Sequence, residues 1–160
     1  VQERVARARA ALDRVTDPEL PFLTIRDLGV LRDVRVVDDT LEVVLTPTYL
    51  GCPAWDVIAY DVDAALVRAG VGAFRIQTNR SPAWTTDWLS AEARVKLREN
   101  GIAPPKEGTG ARTLFSVVAV TCPKCGSPDT ERVSEFGSTA CKAHYRCLAC
   151  REPFDYFKCV

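Results

Sequence analysis

Two cysteine pairs of identical spacing, Cys122-Pro123-Lys124-Cys125 and Cys147-Leu148-Ala149-Cys150, constrain this chain more than any other feature. Two residues between thiolates let one tight turn aim both sulfurs at a single ion, and two such turns complete a tetrahedral shell. A segment of roughly fifty residues has too little core to fold alone, so a bound ion supplies folding free energy there. The spacing therefore predicts a small all-β zinc ribbon with one structural Zn²⁺ held by Cys122, Cys125, Cys147 and Cys150. An iron–sulfur cluster accepts the same four thiolates, and ligand count leaves that alternative open.

The chain has seven cysteines, an odd number, and six of them lie in its last quarter. With paired C-x-x-C spacing, this argues for metal binding over a disulfide framework. Cys141, Cys159 and the sole histidine, His144, fall in the same unit. Cys141 reads either as a buried thiol, one standing behind the ligands, or as an alternative ligand. His144 reads as a surface or packing residue.

Lys plus Arg and Asp plus Glu each total 21, so no global field draws the chain to nucleic acid or to an anionic membrane. From Thr113 onward, the basic residues are nearly balanced by acidic ones, which gives the ribbon little affinity for phosphate backbones. No apolar run approaches the roughly 18 residues of a membrane span, and Val1 to Arg14 lacks the apolar core of a signal peptide. The expectation is a cytoplasmic protein with neither nucleic-acid nor membrane partners.

Ahead of the ribbon the hydrophobic period changes several times. Val5, Ala8, Leu12 and Val15 recur at helical spacing, predicting a helix from Gln2 to Arg14 that ends before Pro18. Val30 to Val37 and Leu41 to Leu45 flank Asp38-Asp39-Thr40 and predict a β-hairpin. Ile58, Val62, Ala65, Leu66 and Ala69 mark a helix from about Pro53 to Ala69, and Phe74 to Thr78 alternates as a third strand. Ser90 suits the N-cap of a last helix that runs to Asn100. The fold class is α+β: a sandwich of helices on a three- or four-stranded mixed sheet over 1–101, a Pro/Gly-rich linker over 102–112, and the ribbon over 113–160.

The stretch Thr46-Pro47-Thr48-Tyr49-Leu50-Gly51-Cys52-Pro53 joins the second strand to the second helix. With Pro53 in the first helical position, Cys52 becomes the expected N-cap, where unpaired N–H groups and the helix dipole favour a thiolate. Such a cysteine can attack or bind a soft metal; the plainer reading is a small buried cap. Asp17, Glu19 and Asp27 read as site carboxylates or as turn-formers. Trp84 and Trp88 read as a docking surface or as rings sealing the open end of the sheet.

Asp17-Pro18-Glu19, Asp27-Leu28-Gly29, Thr46 to Tyr49 with Gly51 to Ala54, Ser81 to Trp88, and the ribbon with Phe136 to Lys142 together resemble one family. It is the D-subunit family (PaaD) of bacterial phenylacetyl-CoA epoxidase systems, and the resemblance covers nearly the whole chain. Residues 1 to about 101 are similar more broadly to the SufT-like family associated with iron–sulfur protein assembly, which has a cysteine at the Cys52 position. The sequence departs from the pattern at Leu50, where a small polar residue is expected, and at His144, where an apolar one is.

The resemblance implies an accessory subunit of a ring-1,2-epoxidase in aerobic phenylacetate catabolism. Its partners would be the oxygenase, the iron–sulfur flavin reductase or both, with a homodimer left open. The chain has no Glu-x-x-His pairs for a di-iron site, no Gly-rich dinucleotide fingerprint and no plant-type ferredoxin spacing. The implied role is maturation rather than catalysis. In it, Cys52 is a transient ligand for iron or an iron–sulfur cluster, Asp17, Glu19 and Asp27 shape its pocket, and the ribbon with Trp84 and Trp88 docks the client. A non-catalytic adaptor joining oxygenase and reductase is the alternative. An enzyme with a Cys52 nucleophile lacks a convincing base, since His144 lies in the other predicted domain.

Overall fold

The valine- and leucine-rich runs after residue 30 form the hairpin they predict. β1 (Leu31–Val37) pairs antiparallel with β2 (Thr40–Leu45), with Val37 opposite Thr40. The two turn residues, Asp38 and Asp39, have φ of 47° and 59°. That left-handed pair matches the right-handed twist of the strands, and aspartate is among the few side chains that tolerate it. The computed structural model describes residues 1–108 and 119–158 and divides the chain into two units, Val1–Trp84 and Thr85–Val160.

In the first unit, β2 leads into α2 (Trp55–Arg68), and β3 (Phe74–Thr78) returns parallel to β2. A parallel return needs a crossover, and the helix supplies it. The sheet order is β1-β2-β3, so β2 is central and buried from Leu41 to Leu45. α1 (Gln2–Leu12) packs on α2 and β1 through Ala8 and Leu12, while α2 buries Ile58, Val62, Ala65 and Leu66. The Arg4 guanidinium donates to the carbonyls of Asp39, Val71 and Ala73, tying α1 to the hairpin turn and to the loop before β3.

Central β2 also carries a charge that its apolar neighbours obscure in the sequence. Glu42 is 1% exposed and sits in register between Arg35 and Arg75, both of which donate to its carboxylate. A buried carboxylate is tolerable only with such partners. Arg75 foremost, joined by Arg35, holds Glu42 below the ordinary glutamate value.

In the second unit, a single 3-10 turn (Thr86–Trp88) precedes α3 (Ala91–Glu99). Ser90 caps α3 as expected, its Oγ accepting from the Ala93 N–H at 3.0 Å. β4 (Ile102–Ala103) pairs parallel with β7 (Pro153–Phe157), which pairs antiparallel with β6 (Lys142–Cys147), itself antiparallel to β5 (Thr130–Ser134). The core gathers Ala103, Val120, Ala143, Phe154 and Tyr156 beside Cys122 and Cys147. The Tyr145 ring stacks on Phe154 and meets Tyr156 edge-on.

The sequence-based boundary at 101 differs from this division. Residues 102–103 open the expected linker, yet they are a strand of the ribbon sheet, paired with Asp155 and Tyr156. Two residues are too few to show a period, and their partners lie about fifty positions on. The remainder of the expected linker past 108 and the expected ribbon start at 113 lie outside the described residues. Among the described residues, no helix is long and apolar enough to cross a membrane.

Candidate functional site

The two C-x-x-C turns are built alike. In each, the first cysteine donates its N–H to the carbonyl five residues on: Cys122 to Ser127 at 2.9 Å and Cys147 to Glu152 at 3.0 Å. Lys124 and Glu152 pair between the turns at 3.0 Å. The ligand atoms of Cys122, Cys125, Cys147 and Cys150 all lie within 4.8 Å of one another. The Cys122–Cys150 sulfurs are 3.8 Å apart and the Cys125–Cys147 sulfurs 3.6 Å. A tetrahedron with Zn–S bonds of about 2.3 Å has edges of about 3.8 Å, so the donor set fits one ion. A multi-iron cluster would place several irons and sulfides among the cysteines and hold their sulfurs farther apart.

The thiols differ in acidity before any cation arrives. The Cys150 backbone N–H, opposed by burial and aided by neighbouring donors, brings Cys147 down to about 7. For Cys150, the Glu152 N–H acts downward, but burial and the sulfurs of Cys147, Cys125 and Cys122 outweigh it and push the thiol up to about 12. One group of sulfurs cannot shed every proton unaided; a bound cation removes that penalty.

Cys141 does not join this group. It immediately precedes β6, whereas Cys147 ends that strand, and six residues of extended chain span about 20 Å. Its buried sulfur lies 3.1 Å from the Thr139 Oγ1. His144 Nδ1 lies 3.3 Å from Asp155 Oδ1, its cross-strand neighbour, which fits the expectation of a packing residue. Cys159 lies outside the described residues.

Cys52 occupies a different position from the one Pro53 suggests. The N-cap of α2 is Ala54, in helical conformation and without a side-chain cap bond. The Cys52 carbonyl accepts from the Trp55 N–H at 3.1 Å, so Cys52 to Trp55 forms a turn ahead of the helix. Gly51 at φ 77° provides the reversal that starts it. Cys52 is half-buried, on the loop that leaves β2.

That loop starts at the end of the sheet where the carboxylate segments also gather. Thr46 donates to Val30 and Asn79 to Leu45, at 2.9 and 2.8 Å, while Thr16 bridges Thr24 and Ile25 donates to Val15. Asp17 is 7% exposed, and its Oδ1 accepts the N–H groups of Glu19 and Leu20 at 2.8 and 3.0 Å. Asp27 and Thr24 cap each other reciprocally: Asp27 Oδ2 accepts the Thr24 N–H at 3.1 Å, and Thr24 Oγ1 accepts the Asp27 N–H at 3.0 Å. Both carboxylates thus build turns of their own loops. Glu19 is half-buried.

Trp84 Nε1 donates to the Leu28 carbonyl at 2.7 Å, and the residue is 7% exposed, so its indole seals the Asp27 loop. Trp88 is half-buried in the 3-10 turn of the second unit. Sequence reasoning missed Arg94, a buried guanidinium that donates to the carbonyls of Thr86, at 3.0 Å, and Pro105. Its only signal was a charge on the inward face of α3, beside Ala93 and Leu97. A cleft of about 410 Å³ between α1 and α2 is lined by Arg14, Thr16, Asp61 and Arg68 among others, and Cys52 is not part of it.

Residues 6–75 match a family described as iron–sulfur cluster assembly protein, and residues 106–158 match the PaaD zinc beta ribbon domain. A protein of Escherichia coli (strain K12), described as the putative D subunit of 1,2-phenylacetyl-CoA epoxidase, is 46% identical over 151 residues, covering 94% of this chain and 90% of its own. Two proteins described as Fe-S protein maturation auxiliary factors, from Porphyromonas gingivalis and Bacillus subtilis, are 36% and 35% identical over 88 and 89 residues. Each alignment covers 54% of this chain, and 83% and 86% of the respective relatives. A domain of unknown function (DUF59) from Bacillus anthracis superposes with a TM-score of 0.55 at 26% identity, over 60% of this chain and 92% of its own. A conserved hypothetical protein from Thermotoga maritima gives 0.50 at 30%, over 57% and 91%.

Proposed function

The chain belongs to the PaaD family, the D subunits of phenylacetyl-CoA epoxidases, and from this we propose that it matures a partner's metal centre. In this reading it is an accessory subunit that carries iron or an iron–sulfur cluster, as cargo, on the Cys52 sulfur. The client is the oxygenase or the iron–sulfur flavin reductase of the same system.

One observation carries the reading: Cys52 stands outside the four-thiolate set, within the part of the chain that matches the iron–sulfur assembly family. The ribbon set closes on one ion and leaves no open position, which suits a structural Zn²⁺ held by Cys122, Cys125, Cys147 and Cys150. That ion supplies folding free energy. Cys52 by contrast is a half-buried soft donor on a loop, with Asp17 and Asp27 stiffening the turns at the same end of the sheet and Glu19 beside them. A single thiolate holds a soft metal only with ligands from elsewhere, which suits transient carriage and transfer.

The test is to co-express the partner subunits with the wild-type chain or its Cys52→Ala variant, then measure their iron content and epoxidase activity. The variant must fold and keep its zinc. Assembled partners that lack iron and activity support maturation through Cys52; equal iron and activity sink it and put the adaptor reading in front.

A further inference from the structure

α2 carries its core residues on one side and a second apolar stripe on the other. Val57, Tyr60 and Val67 are 47%, 72% and 62% exposed, and Ala64 lies between them. At about 100° per residue these four fall within an arc of about 80°, opposite buried Ile58, Val62 and Leu66. Their 3-4-3 spacing is that of a helix seam, about 15 Å long from Val57 to Val67. The stripe starts five residues after Cys52, and the loop that carries Cys52 exposes Leu50 at 76%. Among the described residues, four large exposed apolar side chains thus lie within eighteen positions that include the candidate transfer residue. Scattered exposed apolar residues need no explanation; a helical stripe of them marks a contact surface.

The charge along the stripe indicates what covers it. Asp56 and Asp63 border one edge, both exposed, and neither has an ion-pair partner among the described residues. Asp61 and Arg68 border the other. A two-fold antiparallel pairing of α2 with its copy that matches Val57 to Val67 and Tyr60 to Ala64 sets like edges together and brings Asp63 near the copy's Asp63, which disfavours a second copy of this chain. A helix whose apolar seam is flanked by Lys or Arg satisfies both the seam and the acidic edge.

We propose that the outer face of α2 is where the client docks, and that its occupant is a basic amphipathic helix of an epoxidase subunit, delivered beside Cys52. The proposal rests on the maturation reading for the client's identity and on α2 alone for the surface. Tyr60 is the anchor, since a large exposed aromatic at the middle of an apolar stripe is the usual centre of binding energy.

The test titrates the purified oxygenase and, separately, the reductase subunit onto the whole chain, wild type and three variants. Tyr60→Asp should weaken binding of one subunit at least about tenfold, without changing the thermal melt. Asp56→Lys/Asp63→Lys should weaken it too and abolish the loss of affinity with added salt. Cys52→Ala should bind that subunit as tightly as wild type. A photo-crosslinker at position 60 should attach to a Lys- or Arg-flanked amphipathic segment of the same subunit. Crosslinking to a second copy of this chain or to an acidic segment, unchanged affinity of the Tyr60 variant, or no binding of either subunit overturns the proposal. Failure of Cys52→Ala to alter client iron would sink the maturation reading instead, leaving these affinities to judge the surface by themselves.

Discussion

The indole N–H of Trp84 reaches the carbonyl of Leu28 at 2.7 Å, joining positions 56 residues apart. One hydrogen bond thereby closes the end of the first unit over the Asp27 loop. The sequence left Trp84 between a sealing and a docking role, and this bond with its burial favours sealing.

Trp84→Phe should accordingly act on stability. It leaves the Leu28 carbonyl without its donor, at a cost of about 1–3 kcal/mol. Urea unfolding of the intact chain measures it; an unchanged midpoint would mean that water replaces the indole without loss.

Glu42 predicts an acid-dependent stability. Its folded pKa is depressed below the ordinary 4.5, by Arg75 first and then Arg35. A depressed carboxylate stabilises the fold above its unfolded pKa, and that contribution is lost as pH falls through the folded value. Glu42→Gln should therefore melt lower than wild type at neutral pH, with the gap narrowing below about pH 4.5. Melting curves from pH 7 to pH 2.5 would check it, and a gap independent of pH would refute the linkage.

The four-cysteine group should bind one ion per chain, and its removal should unfold the ribbon sheet. Elemental analysis should return one zinc. Cobalt substitution should give the intense visible bands of a tetrahedral thiolate site, and a strong chelator should erase the near-ultraviolet signal of the stacked Tyr145 and Phe154. Cys141→Ser, altered about 20 Å along β6 from Cys147, should leave metal content unchanged. A drop to half occupancy would return Cys141 to the metal shell.

Arg94→Met keeps much of the side-chain volume but deprives the Thr86 and Pro105 carbonyls of a charged donor. The expected loss is about 2–4 kcal/mol in the second unit, with zinc retained. Equal stability of variant and wild type would show that the two carbonyls find other partners.

Much of this architecture was legible in advance because its causes are local. The Asp38-Asp39 turn, the Ser90 cap and the third strand follow from neighbouring residues, and their structural limits agree with the sequence reading to within a residue or two. The donor set of the ribbon was equally plain, since two tight turns of one spacing carry it. Cys52 was harder. A proline after a cysteine suggested a cap, yet the chain completes a separate turn before the helix, and Ala54 takes that position. Glu42 was hidden because alternation in β2 marks faces without saying that both are covered.

By itself, the sequence determined the identity of the thiolate set, the hairpin, the helices to within a residue or two at their ends, and the family, because periodicity, turn chemistry and motif spacing act over a few residues. Only the tertiary structure decided that Cys141 stands a strand's length from the metal ligands, that Ile102–Ala103 completes the ribbon sheet, that Trp84 closes on Leu28, and that Asp17 and Asp27 hold turns at the end of the sheet from which the Cys52 loop leaves. These depend on register and on pairing between distant segments. A residue's own neighbours do not encode which remote carbonyl or strand it will meet; that is set when the cores close and every buried polar group must find a partner.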